Sequence, residues 1–212
     1  MSTEAEPSLP PYEGIKLADI RLVRSIEDAE QALAALLAAD AIGFDTESKP
    51  TFQKGEASTG PHLIQFATDD TAYLFQVGPG APFEMLKAIL ESTLPLKVGF
   101  GLSDDVKRLY NKLDITVAGV LDLSVALRTS GQRNDLGAKT AVAKFFGRQL
   151  QKSKKISTTN WATARLSERQ ILYAADDAQV ALRVYRRWVA DGGKVAPSKP
   201  ARARRPRPQP AV

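Results

Sequence analysis

Two β-prone stretches, Leu63–Thr68 and Ala72–Val77, flank an Asp69-Asp70 turn. Around them, short apolar runs alternate with amphipathic segments along a 212-residue chain. The first pattern predicts an antiparallel hairpin. The second predicts strand–helix–strand crossovers and parallel pairing. A chain that must satisfy both is confined to a mixed α/β sheet flanked by helices. Further strands are expected at Ile20–Val23, Ala41–Glu47, Leu96–Phe100 and Ile115–Leu121. Helices are expected after Ser25, over Pro82–Glu91, after Ser103, near Asp122–Thr129 and over Asp135–Phe146. Ser167 and Gln170 have the spacing of a capping box, and the helix they open is expected to reach about Ala190.

Composition narrows the chemistry. The chain has no cysteine and one histidine, His62, which excludes disulfides, thiol catalysis, cysteine-type zinc sites and multi-histidine metal sites. His62 follows Pro61 at a strand edge, where a hydrogen-bonded structural role is expected. The longest apolar run, Ala32–Ala39, falls well short of the roughly 20 residues of a membrane-spanning helix. The N-terminus is acidic and proline-rich, with neither the basic nor the apolar region of a secretory signal, so a cytoplasmic location is expected. The net charge of +5 sits wholly in residues 191–212, which hold six bases and one acid. The body of the chain is therefore neutral, and overall basicity cannot argue for nucleic-acid binding. Residues 1–14 and 192–212 lack apolar periodicity and are expected to be flexible, leaving a folded domain over 15–191.

Three acidic patches interrupt apolar elements. In Phe44-Asp45-Thr46-Glu47, residues two apart on a strand share a face, so Asp45 and Glu47 project side by side and repel one another unless a cation lies between them. Ser103-Asp104-Asp105 opens a helix, where acids also favour the helix dipole. In Tyr173-Ala174-Ala175-Asp176-Asp177, the tyrosine and Asp177 are four apart and share a helix face, among small alanines that allow close approach.

The ordered set Asp-x-Glu on a strand, Asp at the start of a central helix and Tyr-x-x-x-Asp on a late helix resembles the DEDDy 3′–5′ exonucleases of the ribonuclease D and Werner-syndrome type. Leu63-Ile64-Gln65-Phe66, the segment Val98 to Asp105, Asn160-Trp161 and the segment Leu166 to Ala178 carry the likeness further, over roughly Ile20 to Val189. It implies a ribonuclease-H-like fold and hydrolysis of phosphodiester bonds from a free 3′ end of DNA or RNA, with two divalent cations, Mg²⁺ or Mn²⁺. The implied ligands are Asp45, Glu47, Asp105 and Asp177, with Tyr173 orienting the attacking water. The spacing from Gly99 and from Tyr173 favours Asp105 over Asp104 and Asp177 over Asp176.

Residues 144–169 hold seven bases and one acid just before the third motif, so Lys152, Lys154 and Lys155 are candidates for gripping a phosphate backbone. Thr46 and Ser48 are candidates for touching the terminal nucleotide, and Phe52 for stacking on a base. The alternative is a catalytically silent nucleic-acid-binding or scaffold module on the same fold. Such a module would be expected to lose metal acids, whereas all four positions are filled here.

Overall fold

The computed structural model describes residues 9–51, 53, 55–128 and 136–195. Phe52 and nearly all of the basic tail lie outside the described residues. Six strands form one sheet: β1 (Ile20–Val23), β2 (Ala41–Glu47), β3 (Leu63–Ala67), β4 (Ala72–Gln76), β5 (Leu96–Gly99) and β6 (Val120–Asp122), in the spatial order β1-β4-β3-β2-β5-β6. The β3–β4 hairpin is antiparallel, as is the β2–β3 pair. The β1–β4, β2–β5 and β5–β6 pairs are parallel. The sheet is thus mixed, as the hairpin and the crossovers together require.

Each face of the sheet has its own helical layer. On one side, α1 (Ile26–Leu37), α2 (Phe83–Glu91) and α3 (Ser103–Leu113) cover Ile42, Phe44, Ile64, Phe66 and Phe75. The Phe44 and Phe66 rings stack with centroids 5.7 Å apart, and Phe75 meets Phe66 edge-on at 5.8 Å, a preferred aromatic arrangement. On the other side lie α4 (Leu123–Ala126), α5 (Ala138–Phe146), α6 (Lys154–Ser157) and the long α7 (Glu168–Ala190).

Local signals start the longest helices where the sequence places them. Ser25 caps α1 and Ser167 caps α7, each with a reciprocal bond from the residue three along. α3 has no side-chain cap of its own. Instead the Asp122 carboxylate, at the end of β6, accepts from the Gly101 and Leu102 amides at 2.9 and 3.0 Å. This fixes the first turn of α3 against the carboxyl end of the sheet.

The strand expected at Ile115–Leu121 is only Val120–Asp122. Ile115 and Val117 are drawn into the core as a loop, and Gly119 turns at φ +58° with the Thr93 carbonyl against it, which ends strand geometry there. The expected helices at 122–129 and 135–146 are Leu123–Ala126 and Ala138–Phe146, with 129–135 outside the described residues.

Ordered structure also begins before residue 15. Tyr12 N–H donates to the Gln149 carbonyl at 3.0 Å and Gln149 N–H to the Pro10 carbonyl at 2.8 Å. The Ile15 amide donates to Asp176 at 2.8 Å, and Arg183 reaches the Tyr12 hydroxyl at 3.1 Å. Residues 10–15 therefore form a strap between α7 and the 149–152 segment.

α7 lies directly on β2. A Cβ at Gly43 would fall 1.9 Å from the Ala178 carbonyl oxygen, so only glycine permits this approach. Ala174, Ala175 and Ala178 are fully buried at the same contact. At the far end of β2, Arg186 of α7 holds Asp40 with two bonds of 2.7 Å and also pairs with Asp69 at 3.1 Å. Gly43→Ala should force the helix off the strand and lower the unfolding free energy by about 3 kcal/mol, the upper range for overpacking a tight contact. Urea titration of the two proteins measures it, and a change within about 0.5 kcal/mol would contradict the contact.

Candidate active site

The β2–α7 contact brings Asp45, Glu47, Tyr173 and Asp177 together at the carboxyl end of β2, and the start of α3 adds Asp105. β2 alternates: Phe44 and Thr46 face α1–α3, while Gly43, Asp45 and Glu47 face α7. Asp45 and Glu47 stay partly open to solvent as the strand leaves the sheet. Asp45 accepts from the Thr46 amide at 2.8 Å. α3 supplies Asp105 from its first turn. α7 supplies Tyr173 and, one turn on, Asp177, which is 9% exposed.

The two adjacent-acid ambiguities resolve geometrically. Asp104 points to solvent and pairs with Lys107 at 3.1 Å. Asp105 turns inward and accepts from the Thr46 hydroxyl, with Arg108 at 3.5 Å. Asp176 faces away from Asp177 into the N-terminal strap, where it holds the Ile15 amide and Gly14 leaves no room for a side chain. Asp177 points toward Asp45 and Glu47.

The electrostatics are those of concentrated negative charge. Burial, then the Asp177 and Asp105 charges, hold Asp45 well above the usual carboxylate range. Glu47 is pushed up to about 9, first by burial and then by Asp45 and Asp177. Burial also raises Asp105, against the opposing pull of Thr46 and Arg108, and it raises Asp177 against Lys152. Lys152 is the cation inside the cluster: its ammonium lies 2.8 Å from Asp177 and 5.9 Å from the centre of the Tyr173 ring. Lys152 and Arg108 are thus two cationic side chains beside four carboxyl groups.

Among the described residues no three acids are yet drawn to ligand spacing. The donor set nonetheless fits hard divalent cations, because every donor is a carboxylate oxygen and the charge deficit is positive.

Tyr173 stands on its own support. Its ring packs against buried Trp161 at 6.1 Å, and the Trp161 indole N–H donates to the Ser157 carbonyl at 3.2 Å. Gln170, from the α7 capping box, reaches the Thr159 hydroxyl at 3.1 Å and so ties the same segment to the helix. Burial and the surrounding carboxylates push the Tyr173 phenol far above its ordinary value. It therefore stays protonated across the neutral range.

Not every candidate reaches this centre. Thr46 is 7% exposed and commits its hydroxyl to Asp105 on the opposite face of the strand from Asp45, so its place is a bracket between β2 and α3. The Ser48 hydroxyl is buried against Gly60. Lys154 and Lys155 are exposed on α6, outside the cluster. His62 pins its loop, accepting from the Lys49 amide at 3.0 Å and contacting Thr59 at 3.1 Å. Sequence reading missed Arg108, which the i, i+3 spacing from Asp105 could have signalled. It also missed a cavity of about 310 Å³ beside Lys152, lined by Lys139, Arg148, Gln149 and Gln151.

A mixed sheet with an acid-only cluster at its carboxyl end, completed by a tyrosine from the last helix, describes a class of phosphodiester-cleaving domains. The family model for 3′–5′ exonucleases matches residues 20–188, and the chain belongs to that family. The mouse bifunctional 3′-5′ exonuclease/ATP-dependent helicase WRN is 29% identical over 150 residues, which take in 70% of this chain and 11% of that protein. Ribonuclease D of Bartonella henselae is 27% identical over 169 residues, 78% of this chain and 40% of that protein. The chain thus spans less than half the length of either relative. Among solved structures, the Aedes aegypti Nibbler EXO domain matches with a TM-score of 0.69 at 25% identity, over 84% of this chain and 92% of that one. Trypanosoma brucei RNase D matches at 0.73 and 23% identity, over 84% and 66%. The fold is the ribonuclease-H-like fold of these nucleases.

The two acid pairs make a sharp prediction. Asp177→Asn and Asp105→Asn should weaken Mn²⁺ binding at least tenfold in calorimetric titration, whereas Asp176→Asn and Asp104→Asn should leave it within about twofold. A reversed order in either pair would mean that the other carboxylate faces the cluster.

Proposed function

We propose that this domain removes nucleoside monophosphates one at a time from the 3′ end of a DNA or RNA strand. The observation that carries the reading is the convergence of Asp45, Glu47, Asp105, Tyr173 and Asp177 from three elements onto one partly open site. Membership of the exonuclease family supports it, as does the Trypanosoma brucei RNase D structure in complex with RNA.

Asp45, Glu47 and Asp177 would hold one divalent cation, and Asp45 with Asp105 a second, either Mg²⁺ or Mn²⁺. Bound there, such ions acidify water and offset the charge of the phosphate under attack. The protein's own groups do the rest. Tyr173, locked in its protonated form, donates and accepts hydrogen bonds without acting as a base, so its task is to orient the attacking water. Asp177, one turn along, shares the same face of α7. Lys152 exchanges its carboxylate partner for a phosphate oxygen when the strand enters. The basic cavity around Lys139 and Arg148 then continues the path for the backbone, with Lys154 and Lys155 available at its margin. Thr46 contributes by holding Asp105 in place.

A 5′-labelled oligonucleotide incubated with the protein and Mn²⁺ should shorten into a single-nucleotide ladder that EDTA stops. Intact substrate, or a single internal cut in a closed circle, would overturn the assignment. Tyr173→Phe keeps the ring against Trp161 and removes only the oxygen. It should leave the melting temperature within about 1 °C while lowering single-turnover kcat about 100-fold or more, the scale expected for loss of a positioning group. Wild-type kcat in a folded variant would reduce Tyr173 to a packing residue.

A further inference from the structure

β3 carries a single polar side chain within an otherwise apolar strand. Gln65 lies between Ile64 and Phe66, is completely buried, and has no hydrogen-bond partner for either its amide nitrogen or its carbonyl oxygen among the described residues. A buried amide with both ends unpaired is less favourable than an apolar side chain of the same shape. Packing alone therefore selects against glutamine at this position, and a polar task elsewhere is needed to explain it.

Its register supplies the task. Gln65 is the cross-strand partner of Asp45 in the antiparallel β2–β3 ladder. Opposed residues project from the same face with Cβ atoms about 4.5–5.5 Å apart, well within the reach of a glutamine. Along β3 its same-face neighbours are Leu63 and Ala67, and across β4 it faces Leu74, all three fully buried in the core beneath α7. On its remaining side the register sets Asp45. One Asp45 oxygen is already held by the Thr46 amide.

We propose that Gln65 is a positioning residue for Asp45. When the Asp45 carboxylate turns to ligate cations, the Gln65 amide N–H donates to it and fixes the carboxylate plane between the Thr46 amide on one side and Gln65 on the other. The inference rests on reading the four carboxylates as a cation site. An amide suits this place because it donates a strong bond to a carboxylate without adding positive charge that would repel the ion. A lysine or arginine would compete with the cation, and an acid would add a fifth negative charge to a site already crowded with four.

Gln65→Met keeps the size and removes both unpaired polar ends. With the metal-free full chain, the variant should melt at or above the wild-type temperature. In calorimetric titration with Mn²⁺ and no nucleic acid, its affinity should fall about 10-fold or more, as for loss of a group that orients a ligand. In an Asp45→Asn background, the same substitution should cause no further loss of affinity. Unchanged Mn²⁺ affinity in Gln65→Met, or additive losses in the double variant, would overturn the proposal. So would a lower metal-free melting temperature, which would assign Gln65 to the fold. Wild-type protein that binds no Mn²⁺ would instead overturn the cation-site reading on which the proposal rests.

Discussion

The closeness of α7 to β2 is the constraint on which the rest of the structure depends. With glycine at position 43, the backbone of the helix at Ala178 rests on the strand itself. Ala174 and Ala175 keep the same narrow separation over the preceding turn. Because the gap is set by backbone rather than by side chains, the relative position of the two elements is stiff. Asp177, one residue before the contact, and Asp45, two residues beyond Gly43, are carried to each other by it. Asp105 joins through a different device, the cap that Asp122 places on α3 and the hydroxyl bracket from Thr46.

That stiffness sustains an arrangement that electrostatics opposes. Burial raises the proton affinity of all four carboxylates, the neighbouring acids raise Asp45 and Glu47 further, and Lys152 and Arg108 relieve only part of this. The compensating burial lies elsewhere, in the aromatic layer of Phe44, Phe66 and Phe75 under α1 and α2 and in the aliphatic contacts of α5 and α7. The crowding of like charges is thus confined to one end of the sheet while the core on both faces is mostly apolar. This is the usual division between a destabilised site and a stabilising scaffold.

What was legible in the sequence was mostly local. The capping residues Ser25 and Ser167, the hairpin around Asp69-Asp70 and the alternation that groups Asp45 with Glu47 depend on a few adjacent residues, and they appear where the sequence puts them. The same alternation sends Thr46 to the opposite face, where its hydroxyl meets Asp105. The shortened β6 was not legible, because Ile115 and Val117 are apolar enough for a strand, whereas the amides of Ile115, Thr116 and Ala118 bond to Leu109, Glu91 and Leu90 and the Thr93 carbonyl crowds Gly119. The strap at 10–15 had no periodic signal either. It is held by hydrogen bonds to residues more than a hundred positions away, Gln149, Asp176 and Arg183, and such pairings leave no trace in local composition. In the two Asp-Asp doublets the spacing from Gly99 and from Tyr173 already favours the second acid, and it is the second acid that turns inward.

Two of the five clustered groups come from α7, the last described element, and this orders events during synthesis. A chain emerging from the ribosome can pair β2, β3 and β4 early, since their contacts are close in sequence and form quickly. The strand bearing Asp45 and Glu47 lacks its covering helix until Tyr173, Asp177 and Ala178 have left the exit tunnel some 130 residues after Asp45. Until then the acids stand in water, solvated and apart from the tyrosine. A half-made chain of this kind, held beside the ribosome's own RNA, is therefore without a completed centre. The cluster on which the proposed activity rests is complete only with the helix that also closes the fold.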